Sequence, residues 1–135
     1  MEMVWVNDVI PFKGYKAMAL WPVVFVRTEC YSRFDNEDMN HERIHLRQQV
    51  EMLVVGIVIA VILALVGCGW WSMLAVPLFL ECYGLEYLLR LLLCWNTKKA
   101  YRGISFEQEA YNNEQDMDYL KKRKLFCWVK YLFRR

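Results

Sequence analysis

Histidine is nearly absent from this chain: there are two in 135 residues. The five cysteines, Cys30, Cys68, Cys82, Cys94 and Cys127, are scattered, odd in number and without a Cys-x-x-Cys pair. That argues against both a disulfide framework and a thiolate zinc site. No basic stretch precedes an apolar core in the N-terminal "MEMVWV", so a cleaved signal peptide is not expected. Charge is missing from a long interior run, because residues 52–80 contain no Asp, Glu, Lys, Arg or His. Such a run exceeds the roughly 20 apolar residues that cross a bilayer. The net charge of +2 is too small to argue for a nucleic-acid partner by itself.

What is present agrees with a membrane setting. The chain is 57% hydrophobic and 16% aromatic, more apolar than the core of one soluble domain needs. Gly67 and Gly69 interrupt the uncharged run and predict a tight turn. The expectation is a helical hairpin in a single domain, with a first arm continuous with residues 35–66 and a second arm over residues 70–95. Each arm is slightly short for a full span, so a transmembrane and a partly inserted hairpin both stay open, with Trp70 and Trp71 at the far interface. Glu81 falls within the apolar band and should be neutral, paired or turned into a polar cavity. Glu86 and Arg90, one helical turn apart, should pair. Six Lys and Arg precede the hairpin, ten follow it, and none lies near its turn. Both termini are therefore expected on the cytoplasmic side, as in a bacterial inner membrane.

Before the hairpin, residues 1–34 read as a β-rich segment, with a strand over residues 19–27 placed at a sheet edge by Pro22. Asp35 or Asn36 then caps a helix, with Glu37 and Asp38 suited to its first turn. That helix carries both histidines in "HERIH", a pattern expected by chance in roughly one such chain in a thousand. His41 and His45 stack on one helix face and can share one ion. Glu42, rotated by about 100°, misses the ion but reaches a water upon it. The bland alternative is a solvated helix face whose histidines merely titrate.

A third ligand must be a carboxylate, since no third histidine exists. The candidates are Glu81, Glu86, Glu107, Glu109 and Glu114, of which "ISFEQEAYNNEQD" holds the densest cluster. A hairpin returns residues 104–118 to the side on which "HERIH" lies. There Glu107 and Tyr111 share a helix face while Glu109 points away.

HExxH, a hydrophobic hairpin and then E-x-x-A on a later helix together resemble the gluzincin zinc metallopeptidases. Membrane members of that clan include CAAX prenyl proteases, bacterial heat-shock membrane proteases and the peptidase domain of β-lactam sensors. The resemblance, over residues 19–115, implies zincin-like active-site helices, with zinc on His41, His45 and Glu107 and Glu42 as general base. It also implies that the N-terminal strand holds an extended peptide substrate by β-augmentation. Tyr111 stands where the family has an aspartate. Its phenol can hydrogen-bond to a ligand or to the tetrahedral intermediate, but it brings no negative charge.

Residues 119–135 have the composition of a basic amphipathic helix on an anionic membrane surface, with Trp and Phe interleaved among the basic residues. Lipid is favoured over nucleic acid as the partner. Two functions follow from the sequence: a minimal membrane-bound zinc peptidase acting on a peptide or protein near the cytoplasmic face, or a non-catalytic membrane adaptor or membrane-perturbing protein.

Overall fold

A computed structural model describes residues 3–133. It is mainly helical, with a small three-stranded sheet at the N-terminus. Strands β1 (Met3–Asn7), β2 (Ala17–Leu20) and β3 (Val23–Arg27) are ordered β1-β3-β2, with β1 parallel and β2 antiparallel to β3. The single strand expected over residues 19–27 is thus two strands. Pro22 lies in the turn between them, where its missing N–H costs no ladder bond. Along β3 the buried residues alternate, and Val24 and Val26 pack with Ala19 against Leu46 of the first helix.

That helix, α1 (Asn36–Leu65), starts where the sequence places it. The Asp35 carboxylate accepts from the Asp38 amide at 2.9 Å, and Asp38 accepts from the Asp35 amide at 3.1 Å, a reciprocal cap for two otherwise orphaned donors. Among the described residues, α1 is the helix long and apolar enough to cross a membrane. It ends at the expected turn, where Gly67 (φ +90°) and Gly69 (φ +55°) take backbone conformations that side chains disfavour.

The return differs from the expected helix over residues 70–95. Residues Gly69–Ala75 descend along α1 as a 3-10 segment, and α2 (Leu78–Cys94) begins after Pro77, which cannot donate within a continuous helix. Gly56 permits the approach: a Cβ there would lie 2.2 Å from the Ala75 carbonyl oxygen. Phe79 packs on Met52, so α2 runs beside the histidine-bearing half of α1. Glu81 is exposed in the first turn of α2 rather than turned into a cavity. Its charge there faces the positive end of the helix.

Two short helices, α3 (Thr97–Gly103) and α4 (Ser105–Asn113), complete the site. Glu86 pairs with Arg90 at 2.7 Å, as expected. It also accepts from the Ser105 amide at 2.9 Å and the Ser105 hydroxyl at 2.6 Å, which anchors the start of α4 to α2. Ile104 and Phe106 join Met52 and Phe79 in a second core. Helix α4 thereby lies against α1.

The C-terminal segment is not a continuous amphipathic helix. Among its described residues are α5 (Tyr119–Lys122) and a 3-10 turn over Cys127–Tyr131. Two inward contacts break the helix. The Arg123 side chain is buried against Glu51 and Glu109, and Trp128 packs at a tilt against Phe106 with ring centres 4.4 Å apart. Lys121, Lys122 and Lys124 stay exposed, and residues 134–135 of the expected helix lie outside the described residues.

Candidate metal centre

Helical periodicity on α1 brings His41 and His45 together, with their Nε2 atoms 3.1 Å apart. From α4, Glu107 places Oε2 3.4 Å from His41 Nε2 and Oε1 3.2 Å from His45 Nε2. All three residues are buried. As a group they can hold a metal ion, their donor atoms lying within 4.8 Å of one another.

The surrounding hydrogen bonds decide which ring nitrogens face the centre. His41 Nδ1 lies 2.8 Å from Glu114 Oε2, a pure acceptor when ionised, so Nδ1 carries the hydrogen. His45 Nδ1 lies 2.9 Å from Gln48 Oε1. The Gln48 amide cannot be reversed, because its Nε2 donates to the Phe106 carbonyl at 3.1 Å and to Glu109 Oε2 at 3.0 Å. With both rings neutral, two unprotonated Nε2 atoms and a carboxylate therefore converge, and three lone-pair donors at this range repel unless a cation sits among them.

Without a metal, a proton takes that role. Burial opposes charge on His45, but the Glu107 carboxylate outweighs it and lifts the imidazole from 6.5 to about 9. Burial likewise opposes ionisation of Glu107, but His45 and His41 hold it well below the usual carboxylate range. Glu107 Oε2 still has no hydrogen-bond partner among the described residues.

Glu42 lies one position beyond His41, buried, outside the donor triangle and with Oε2 unpartnered. Burial pushes its pKa up, against the pull of the two imidazoles. A carboxyl group so placed can exchange a proton with a molecule in the site.

The remaining sequence candidates separate cleanly. Glu107 enters the site and Glu109 points away, as the helix spacing predicts, while Glu81 and Glu86 lie elsewhere. Tyr111 stacks edge-on against His41 at 4.7 Å, and the Arg102 guanidinium covers its ring at 5.0 Å. Glu114, one turn further on, supplies the carboxyl group beside His41. Asn40 fixes that turn by donating to the carbonyls of Glu114 at 2.8 Å and Asp116 at 3.0 Å.

Sequence reasoning missed Gln48 and Tyr83, and assigned Glu114 only as a possible ligand. Gln48 sits three residues after His45 on the same face, a readable signal. Tyr83, whose hydroxyl donates to Glu107 Oε1 at 2.8 Å, arrives from α2 and left no local signal.

Two openings reach the centre and meet at Glu42. One is an apolar cavity of about 320 Å³ between β2 and α2, lined by Met18, Leu20, Phe79, Leu80 and Tyr87. The other is a broad polar cleft of about 1350 Å³ with Lys16, Lys98, Lys99 and Arg102 in its walls. The outer edge of β2 is partly covered, because the Gln49 amide donates to the Ala19 carbonyl at 2.8 Å and accepts from the Trp21 amide at 2.7 Å. Comparison with protein families, curated proteins and solved structures finds no match to this chain.

Proposed function

We propose that the chain is a small membrane-bound zinc peptidase, with zinc held by His41, His45 and Glu107 and with Glu42 as general base. The observation that carries the proposal is the donor triangle with two imidazoles fixed as Nδ1–H tautomers. Zinc favours a tetrahedral set of nitrogen and oxygen donors with bonds of about 2.0–2.1 Å, which requires donors about 3.3 Å apart. The two Nε2 atoms stand 3.1 Å apart, each lies within 3.4 Å of a different Glu107 oxygen, and one donor from each residue falls within 4.8 Å of the others, a set that closes on one ion with small side-chain adjustments.

When bound, the ion supplies Lewis acidity that polarises a peptide carbonyl and acidifies a water molecule. Glu42 would accept a proton from a water molecule in the site and return it to the departing amine, a role suited to a buried carboxyl group of raised pKa. Glu114 and Gln48 keep the imidazoles in the metal-binding tautomer. Tyr83 donates to Glu107 Oε1 at 2.8 Å and limits its rotation. An extended peptide would meet β2 at the Ala17 end, since Gln49 occupies the edge beyond. One flank of the substrate enters the apolar cavity and the other the polar cleft. The apolar hairpin, residues 52–75, inserts into the bilayer from the cytoplasmic side, as the distribution of Lys and Arg favours.

Metal analysis of the detergent-solubilised protein, together with turnover of a degenerate quenched-fluorescent peptide library, tests this. The expected result is about one zinc per chain, marked loss of zinc in Glu107→Ala, and retained zinc without cleavage in Glu42→Gln. Cleavage that survives Glu42→Gln would remove the base assignment. A wild-type protein that binds zinc and cleaves nothing would favour the non-catalytic adaptor.

A further inference from the structure

We infer that Arg123, from the C-terminal segment, is a positioning residue for the metal centre: it clamps the two ligand-bearing helices together and, through Glu109 and Gln48, selects the tautomer of His45. This inference rests on the metal-binding function proposed above.

Three buried ionisable side chains meet behind the histidines. Glu51 of α1 and Glu109 of α4 are 3% and 0% exposed, and Arg123 between them is 1% exposed. Its Nε donates to Glu109 Oε1 at 2.5 Å, its Nη2 reaches Glu51 Oε2 and Glu109 Oε2 at 3.2 Å each, and its Nη1 donates to Glu51 Oε1. One planar fork thus satisfies two carboxylates on different helices, a geometry available to arginine and not to lysine. Removing it leaves two buried carboxyl groups without the donors that join them, which loosens α1 from α4. Those helices carry His41 and His45 on one side of the site and Glu107 on the other.

The second effect runs through hydrogen bonds. Arg123 donates to both Glu109 oxygens and fixes the carboxyl group in place, Glu109 Oε2 accepts from Gln48 Nε2, and Gln48 Oε1 is thereby turned to His45 Nδ1. Both acceptors of the Gln48 Nε2 group, Glu109 Oε2 and the Phe106 carbonyl, belong to α4, so moving α4 off α1 frees the amide to rotate. Its NH2 group would then face Nδ1 and move the ring hydrogen to Nε2, where it blocks the metal. In this way one residue of "KKRK", a run with the look of a surface patch, is tied to a ligand 78 positions earlier.

The test uses the full chain in detergent. Co²⁺ is titrated and its visible absorption followed, and the His45 tautomer is read by long-range ¹H–¹⁵N NMR of metal-free protein near pH 10. Arg123→Lys, Arg123→Met and Gln48→Met are compared with wild type. Each variant is expected to weaken Co²⁺ binding by about ten- to a hundredfold with the helical circular dichroism retained, and to populate the Nε2–H tautomer. Arg123→Met should lose the most. A folded Arg123→Met with wild-type Co²⁺ affinity and an unchanged tautomer would overturn the inference. Should the Arg123 variants fail to fold, Gln48→Met decides, since it keeps the ion cluster and cuts only the link to His45; unchanged affinity and tautomer there are equally fatal. If the wild type binds no Co²⁺, the zinc proposal fails, and the tautomer measurement still judges the Arg123–Gln48 link.

Discussion

Among single residues, Glu114 supplies from just beyond α4 the carboxylate that faces His41. Tyr111 presents a ring edge to His41, and the carboxylate at His41 Nδ1 comes from one turn beyond. Glu114→Gln keeps a hydrogen-bond acceptor and removes the charge. It should lower zinc affinity by about tenfold, measured by competition with a chromogenic chelator, without unfolding the protein. His45 gives a pH dependence of known sign. In the metal-free fold its pKa is raised from 6.5 to about 9. The stability it contributes is complete below 6.5 and is lost as pH rises through about 9. Metal must displace the same proton, so ion binding at pH 7 should release about one proton from His45 and above pH 10 almost none. Calorimetry in buffers of different ionisation enthalpy reads this directly. The pairing of His41 with His45 was legible because helix spacing alone puts them on one face, whereas Glu107 was singled out among five glutamates by the gluzincin resemblance. Gln48 needed the position of Glu109, and Tyr83 needed the path of α2, neither of which is written locally.

Among the elements, local chemistry forecast α1 well and the return arm badly. The Asp35–Asp38 cap and the Gly67–Gly69 turn are short-range features, and both ends of α1 follow from them. The second arm depended on Pro77, which starts α2 only once residues 69–75 have packed back along α1. Pro22 likewise pointed to an edge strand when it serves a hairpin turn. Gly56 is where the two arms depend on each other. A Cβ at 2.2 Å from the Ala75 carbonyl oxygen has no flexible side chain to push aside, so Gly56→Ala must move backbone. A loss of about 1–3 kcal/mol is expected. Thermal unfolding in detergent measures it, with Gly84→Ala as control, because a Cβ at Gly84 meets nothing within 4 Å.

For the whole molecule, the decisive quantity is the length of the apolar finger. Residues 52–65 of α1 rise about 21 Å at 1.5 Å per residue, against a hydrocarbon core of about 30 Å. The uncharged part of α1 is therefore shorter than the hydrocarbon core, and a complete crossing would have to draw on residues before Met52 or thin the bilayer. The tip of the finger is also suited to remain in lipid. The amides of Val66, Gly67 and Cys68 donate to carbonyls of Ile62, Ala64 and Leu63, and Ser72 Oγ donates to the Gly69 carbonyl at 2.8 Å. With these polar groups satisfied internally, burial in hydrocarbon exposes few unmet donors. In the inserted state proposed above, Trp70 and Trp71, 91% and 76% exposed in the protein alone, would lie in the apolar layer or at its far boundary. Cys68, exposed at the tip, reports which. In a variant retaining only Cys68, a membrane-permeant maleimide should label the protein and an impermeant one should fail from both faces of sealed vesicles. Retaining only Cys30 should give labelling from the cytoplasmic face alone. Impermeant labelling of Cys68 from the opposite face would instead establish a complete crossing, and would require residues before Met52 to enter the apolar layer or the bilayer to thin by about a third around the finger.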